Sequence, residues 1–153
     1  VPADRDKVGK VWYVVAGKVL MTLKGHEGVS SAAWGPDGQR IVTAGSGTSF
    51  SSPSTAKVWD ANTGQELMTL TGHDSWVVSA AYSPDGQRIV TASGDKTAKV
   101  GGDVMGKGLM TQNGHGGVSS AAWRPDGQRI GTDGSGTSFS SPSTAKEWDA
   151  NTG

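Results

Sequence analysis

The chain has 153 residues with 14 basic and 14 acidic side chains, so its formal net charge is zero, and it contains no cysteine. A neutral chain sets up no field that attracts polyanions, so nucleic acid and anionic membranes are not expected partners. The lack of cysteine excludes disulfides and thiolate metal sites, and no apolar run is long enough for a signal peptide or a bilayer span. We therefore expect a soluble cytoplasmic protein without a metal or other cofactor.

Glycine is the unusual feature of the composition, with 24 copies alongside six prolines. Average usage of these residues is about 7% and 5%. Because they are spread evenly and the six tryptophans recur at regular places, disorder is a poor explanation. The composition indicates many tight turns between short strands.

The chain opens with a segment that recurs later in the sequence. Residues 10–26, KVWYVVAGKVLMTLKGH, align with residues 57–73, KVWDANTGQELMTLTGH. We therefore expect strands near 8–13 and 18–23 and treat residues 1–24 as the outer two strands of a preceding repeat.

The next stretch contains four short segments suited to strands, which we call a, b, c and d. They are VSSAAW at 29–34, RIVTA at 40–44, TAKVWD at 55–60 and ELMTL at 66–70. Strand a is poor in bulky groups apart from its end, and the other three are rich in β-formers. Pro36-Asp37-Gly38 suits a tight turn between a and b, because proline fixes φ early and glycine tolerates positive φ. The segment Ala-Asn-Thr-Gly at 61–64 supplies the turn between c and d.

Three motifs recur in a fixed order along the chain. PDGQRI occurs at 36–41, 84–89 and 125–130, and the shorter spacing, from 84 to 125, is 41 residues. Gly-His precedes each copy, at Gly25-His26, Gly72-His73 and Gly114-His115, and Trp-Asp follows two of them, at Trp59-Asp60 and Trp148-Asp149. A period of about 40–45 residues is typical of WD repeats.

On these motifs the chain resembles the WD-repeat family, and the resemblance, of the bacterial tandem type, covers nearly the whole sequence. It implies an all-β protein built of β-propeller blades, each a four-stranded antiparallel meander, with about three blades in this chain as part of a larger ring. The repeats are then residues 25–71, 72–113 and 114–153, of which the third lacks its own outer strand.

Three blades cannot close a ring, since propellers typically need four to eight. One hypothesis is that the chain is a segment of a longer array, which the redundant strand near 8–13 favours. The other is a homodimer that closes a six-bladed ring by pairing the strand near 18–23 with the third repeat of the partner. The sequence leaves both open.

Two repeats depart from the motif. Gly101-Gly102 stands where Trp-Asp is expected, and the third repeat has Gly131, Asp133 and Glu147 where the first has Val42, Ala44 and Val58. Loss of a buried aromatic costs roughly 3–5 kcal/mol, and glycine weakens a strand. A carboxylate at a core strand position must find a partner or shift its pKa. We therefore expect the third repeat to be the less stable.

The three histidines are interpreted as structural. The resemblance implies that each bonds within its blade to an Asp of the b–c turn, a Ser or Thr, and the Trp of strand c. The residues that match these roles are His26, His73, His115, Trp59, Trp148, Asp95 and Ser93. No repeat has the full set, because the first and third replace the Asp turn with a longer loop and the second lacks the Trp. Neither a metal site nor a catalytic histidine is expected.

Enzymatic motifs are absent from the sequence. No Gly-x-Ser-x-Gly elbow occurs, and GSGTSF at 45–50 and 134–139 lacks the Gly-Lys-Ser/Thr ending of a phosphate loop. A hydrolase is therefore only a formal alternative, and no catalytic residue is assigned.

The best functional signal is the pair of loop insertions at 45–54 and 134–143, although a flexible linker explains them equally well. In a meander the b–c loops and the Gly-His loops emerge at the same end of the ring. Apolar anchors in a polar surround are typical of a recognition surface. The candidate binding residues there are Phe50, Trp76, Phe139, Asp74 and Glu27.

These observations predict a non-catalytic scaffold that binds a peptide, another protein or another copy of itself at the loop end. A carbohydrate-binding propeller is an alternative, since Trp and Phe stack on sugars. A second alternative, implied by the resemblance, is the sensor region of a larger signalling protein.

Overall fold

A computed structural model of the chain describes residues 8–13, 18–47, 54–102, 108–113, 115–136 and 143–152. In these ranges the chain forms thirteen β-strands and no helix, which confirms the predicted all-β class. The same ranges therefore contain no helix that could cross a membrane.

The strands form four antiparallel sheets, and within each sheet every strand pairs with the next strand along the chain. The N-terminal pair consists of β1 (Val8–Tyr13) and β2 (Lys18–Lys24). Blade 1 consists of β3 (Gly28–Trp34), β4 (Arg40–Ser46), β5 (Thr55–Asp60) and β6 (Glu66–Leu70). Blade 2 consists of β7 (Val77–Tyr82), β8 (Arg88–Ser93), β9 (Thr97–Gly102) and β10 (Gly108–Asn113). Blade 3 consists of β11 (Gly117–Trp123), β12 (Arg129–Ser135) and β13 (Thr144–Asp149). These meanders are those of propeller blades, and the described sheets do not close into a ring.

The turns between the first two strands of each blade have the predicted chemistry. Gly38 has φ of +71°, and its N–H donates to the carbonyl of Gly35 at 3.0 Å. Gly86 and Gly127 repeat this geometry with φ of +73° and +69°. Because glycine alone adopts positive φ without a steric penalty, each Pro-Asp-Gly triplet fixes where its hairpin reverses.

The hydrophobic core lies between successive sheets, in three clusters. Between blades 1 and 2 it contains Val42, Ala44, Ala56, Val58, Val77, Ala80 and Ile89. Between blades 2 and 3 it contains Val90, Ala92, Ala98, Val100, Val118, Ala121, Ile130 and Ala150. Between the N-terminal pair and blade 1 it contains Val11, Leu23, Ile41 and Trp59. Adjacent residues of one strand point to opposite faces, so Ile41 packs on the N-terminal pair while Val42 packs on blade 2.

Serine hydroxyls on the first strand of each blade fix how the next blade packs. The hydroxyl of Ser31 accepts a hydrogen bond from the N–H of Ala80 at 3.1 Å. One blade further on, the hydroxyl of Ser79 accepts from the N–H of Ala121 at 3.3 Å. The repetition of this contact shows that the two interfaces have the same register.

The expectation that Glu147 lies at a core position is wrong. Its side chain is 42% exposed and forms ion pairs with Arg124 Nη1 at 2.8 Å and Arg129 Nη1 at 3.3 Å. In blade 1 the equivalent Val58 is 1% exposed, because blade 2 covers it. No described sheet covers the corresponding face of blade 3, so the carboxylate meets solvent and two guanidinium groups instead of a core.

Replacing Gly86 with alanine tests the turn geometry. A Cβ built there lies 3.6 Å from Pro36 Cδ, an ordinary contact, so the cost comes from the backbone conformation alone. We expect Gly86→Ala to lower the free energy of unfolding by about 1–2 kcal/mol in urea denaturation followed by circular dichroism. The matched control is Gly102→Ala, whose Cβ meets nothing within 4 Å in a strand and should cost nothing. Equal effects of the two substitutions would contradict the interpretation.

Candidate functional site

Each blade carries a buried threonine that binds its histidine. In blade 1, 2.9 Å separates Nε2 of His26 from Oγ1 of Thr43, and the indole N–H of Trp59 donates to the same oxygen at 2.8 Å. Thr43 Oγ1 therefore links the imidazole of His26 to the indole of Trp59.

Blade 3 repeats this arrangement. Thr132 Oγ1 lies 2.8 Å from Nε2 of His115 and accepts from the indole of Trp148 at 2.7 Å. The other ring nitrogen, Nδ1, is 2.9 Å from the hydroxyl of Thr144. In blade 1, by contrast, Nδ1 of His26 is buried without a hydrogen-bond partner among the described residues.

Blade 2 places a carboxylate on the second ring nitrogen. Nε2 of His73 is 2.8 Å from Thr91 Oγ1, and Nδ1 is 2.8 Å from Oδ2 of Asp95. Asp95 also accepts from the hydroxyl of Thr97 at 2.6 Å and the N–H of Asp74 at 3.0 Å. The carboxylate thus ties the Gly-His loop to the b–c turn.

The structure assigns a different role to Ser93 from the one predicted for it. The hydroxyl on His73 belongs to Thr91, whereas Ser93 Oγ donates to the carbonyl of Ser75 at 3.1 Å and accepts from the N–H of Asp95 at 3.1 Å. Thr91 is not among the residues predicted to bind the histidine, although the sequence contains a signal for it. Thr43, Thr91 and Thr132 each stand two residues after the isoleucine of PDGQRI.

Burial keeps these histidines neutral. It lowers the pKa of His26 to about 4, with the nearby charge of Lys57 acting in the same direction. Burial also lowers the pKa of His73, against the opposing effect of Asp95, and that of His115. For Asp95, burial alone raises the pKa, but hydrogen bonds from Thr97, His73 and Asp74 prevail and hold it at about 2. These buried networks hold the Gly-His loops in place.

Across the described ranges, no three His, Asp or Glu side chains converge as metal ligands would. The histidines lie in three separate blades, and each is bound to its own threonine.

Gly101 leaves blade 2 without the indole that blades 1 and 3 have at the same position. A cavity of about 20 Å³ remains at this place, lined by Leu70, Thr71, His73, Ile89, Thr91, Lys99 and Gly101. Leu70 and Ile89 correspond to Leu23 and Ile41, which pack with Trp59 in the preceding interface. The His–Thr bond of blade 2 persists without the tryptophan.

An open apolar groove lies between the first strands of blades 1 and 2, at the end of the sheets that carries the Gly-His loops. It has a volume of about 450 Å³ and is lined by Gly28, Val29, Ser30, Ser46, Trp76, Val77 and Val78. The side chain of Trp76 is 73% exposed at its edge, the largest exposure of any large apolar residue among those described. Volumes of about 300–1,000 Å³ are typical of ligand pockets.

Blade 2 has Trp76 where blades 1 and 3 have a glycine, and on the paired strand it has Gly94 where they have a serine. In blades 1 and 3 a glycine pairs with a serine here, as Gly28 with Ser46. In blade 2 the N–H of Gly94 donates to the carbonyl of Trp76 at 3.1 Å, so a large ring faces a glycine. The matching groove between blades 2 and 3, about 420 Å³ in volume, has Gly117 in place of the indole.

The other predicted binding residues divide into two groups. Glu27 and Asp74 are exposed in the Gly-His loops, at the same end of the sheets as Trp76. Phe50 and Phe139 lie outside the described residues. The structure thus brings three of the five candidates to one end of blades 1 and 2.

Comparison with known families gives one match in three stretches. The family described as WD domain, G-beta repeat matches residues 17–60, 64–100 and 106–138, which together exceed half of the chain. No curated protein matches the sequence.

The depressed pKa of His26 predicts a stability loss in mild acid. The unfolded state takes up its proton near pH 6.5 and the folded state only near pH 4, so the free energy of unfolding falls as the pH drops between these values. We expect a loss from this residue of roughly 3 kcal/mol, measured by urea unfolding at pH 7.5, 6 and 4.5. His26→Gln keeps an acceptor for Thr43 and should flatten that dependence, leaving the part due to the other histidines. Identical pH profiles would exclude His26 as the cause.

Gly101→Trp tests the missing indole. The new ring would cover Leu70 and Ile89 and donate its N–H to Thr91, so we expect the free energy of unfolding to rise by about 1–3 kcal/mol, less any cost of widening the cavity. Gly101→Phe is the matched control, because it adds a ring without the donor. A tryptophan variant no more stable than the parent, or no better than phenylalanine, would contradict the equivalence of the three sites.

Proposed function

Since the chain belongs to the WD domain, G-beta repeat family, we propose that it is a non-catalytic scaffold that binds an extended peptide or protein loop in the groove beside Trp76. WD40 repeats generally mediate protein–protein interactions and are generally non-catalytic. The partner and the position of its site on this chain are part of the proposal.

The exposure of Trp76 is the observation on which the proposal depends. An indole that is 73% exposed contributes little burial to the hydrophobic core. Blade 2 nevertheless has this tryptophan where blades 1 and 3 have a glycine. Buried tryptophans are enriched among the residues that contribute most to protein–protein binding. An exposed ring beside an apolar groove is therefore best explained by a partner that covers it.

The lining of the groove fits a peptide. Val29, Val77 and Val78 supply an apolar floor, and Ser46 adds a hydroxyl that can bond to a peptide backbone. The hydroxyl of Ser30 donates to the carbonyl of Val77 at 2.6 Å, so it can still accept a hydrogen bond from a peptide N–H. Because the floor has few polar groups, it suits an apolar side chain better than the many hydroxyls of a sugar.

Charge at the rim selects among peptides. Glu27 and Asp74 are exposed, one in each of the two Gly-His loops that border the groove. Opposite charge across an interface accelerates association and favours the matching partner. We therefore propose a peptide with an apolar anchor next to Lys or Arg, encountered in the cytoplasm.

Trp76→Ala is the direct test. An immobilised peptide library and a glycan array are screened with the intact chain, and the dissociation constant of the best peptide is then measured by titration calorimetry. Loss of a central anchor of about 2 kcal/mol or more predicts a weakening of roughly 30-fold. The matched control is Trp34→Ala, because Trp34 is 45% exposed at the other end of its strand and should leave affinity unchanged.

Three results would count against the proposal. Equal weakening by Trp34→Ala would show that the substitution acts through the fold. Glycan binding that depends on Trp76, without peptide binding, would establish the carbohydrate alternative. Failure of any peptide to bind the folded chain at millimolar concentration would remove the groove as a peptide site.

A further inference from the structure

The residues that surround an indole in blade 1 are also present in blade 2, where the indole itself is missing. The ring of Trp59 packs with Leu23 and Ile41. Its N–H donates to Thr43 Oγ1 at 2.8 Å. At the three equivalent positions blade 2 has the same residue types, Leu70, Ile89 and Thr91. All of these line the cavity beside Gly101, which therefore has the walls of an indole site without the ring.

The hydroxyl of Thr91 lacks the donor that its counterparts have. In blades 1 and 3 the threonine oxygen accepts an indole N–H at 2.8 Å and 2.7 Å. Thr91 Oγ1 lies 2.8 Å from Nε2 of His73 and 3.4 Å from the carbonyl oxygen of Lys99. Gly101 has no side chain to donate to it. Because a hydroxyl oxygen has two lone pairs, at least one remains for a donor placed in the cavity.

The cavity is smaller than a ring, so a ligand can enter only if a lining side chain moves. Its volume is about 20 Å³, enough for about one water molecule. Lys99 lines it, is only partly buried and has a flexible four-carbon stem. The exposed Thr71 also lines it, so the cavity lies next to solvent.

Blade 1 shows where the lysine lies when a ring is present. A Cβ built on Gly25 is 3.0 Å from Cδ of Lys57 and 3.0 Å from Cη2 of Trp59, so the lysine stem and the ring edge lie side by side against this glycine. In blade 2 a Cβ built on the equivalent Gly72 meets nothing within 4 Å. Lys99 therefore has room to take the position of Lys57 and leave space for a ring.

We propose that the cavity at Gly101 is a binding site for a small planar aromatic molecule with an N–H donor, for which indole is the probe. The ring packs between Leu70 and Ile89 and donates to Thr91 Oγ1. Cavities lined by apolar side chains bind apolar molecules of matching shape. The site shares no lining residue with the groove beside Trp76, so it does not depend on peptide binding there.

The position of the ring also predicts which molecules are excluded. In Trp59 the ring is joined through its C3 carbon to the backbone of its own strand. A ligand ring in the same pose turns C3 toward the backbone of Gly101, where a second peptide chain has no space. The ligand is therefore a free ring and not the tryptophan side chain of a partner.

Titration calorimetry on the intact chain tests the proposal. We expect indole to bind with a dissociation constant of about 1 mM or lower. Benzofuran has the same shape but no N–H, and we expect it to bind roughly 5-fold more weakly. N-acetyltryptophanamide should not bind, because its backbone groups are attached at C3. Indole should also raise the unfolding midpoint of the parent in urea, since it binds the folded state.

Substitutions locate the bound ring. Gly101→Trp fills the cavity from the chain itself and should abolish indole binding, and Gly101→Phe serves the same purpose if the tryptophan variant does not fold. Thr91→Val should lower the affinity for indole to that for benzofuran, whereas Thr91→Ser keeps the acceptor and should retain it. The matched control is Trp76→Ala, which removes the exposed indole of the groove and should bind the probe as the parent does.

Three results would overturn the proposal. One is a folded parent chain that binds no indole at concentrations up to about 5 mM. Another is indole binding that persists in folded Gly101→Trp or Gly101→Phe, which would place the ring elsewhere on the chain. The third is N-acetyltryptophanamide binding as tightly as indole, because the cavity cannot hold its backbone groups.

Discussion

Each sheet of this chain can bury an apolar face only against the sheet before or after it. The alternation of Ile41 and Val42 makes both faces of blade 1 apolar, so the blade depends on the N-terminal pair on one side and on blade 2 on the other. Stability in such an array is approximately a sum of blade and interface contributions. Because this packing covers the faces of the inner blades, the loop ends of their sheets are the surfaces that remain accessible to a partner.

Within each blade, the hydrogen bond between histidine and threonine is the feature that survives variation. Blade 1 adds an indole donor but leaves Nδ1 of His26 without a described partner. Blade 2 lacks the indole and binds the second nitrogen of His73 through Asp95. Since the threonine bond is common to all three, the remaining partners modulate how firmly each Gly-His loop is held.

Much of this architecture is readable from the sequence, because it depends on local chemistry. Positive φ at Gly38 follows from the Pro-Asp-Gly turn, and the strands follow from short runs of β-forming residues. Burial was harder to predict, as Glu147 shows, because aligned positions have equal burial only if their neighbours are equal. Nor does the sequence disclose that Trp76 stands beside a groove, since that groove is formed by two blades.

Departures from the repeat therefore have different meanings according to what lies against them. At Gly101 a neighbour remains in place, and the change leaves a cavity that lowers stability. At Trp76 the ring projects past the last paired residues into solvent, so a large side chain costs the fold little and is available to a partner. At Arg124 and Glu147 no described blade covers the surface, so an ion pair between them is compatible with folding. In a repeat array, packing between neighbours keeps equivalent positions alike, so a substitution that lies outside this packing is the one from which a partner-binding role is best inferred.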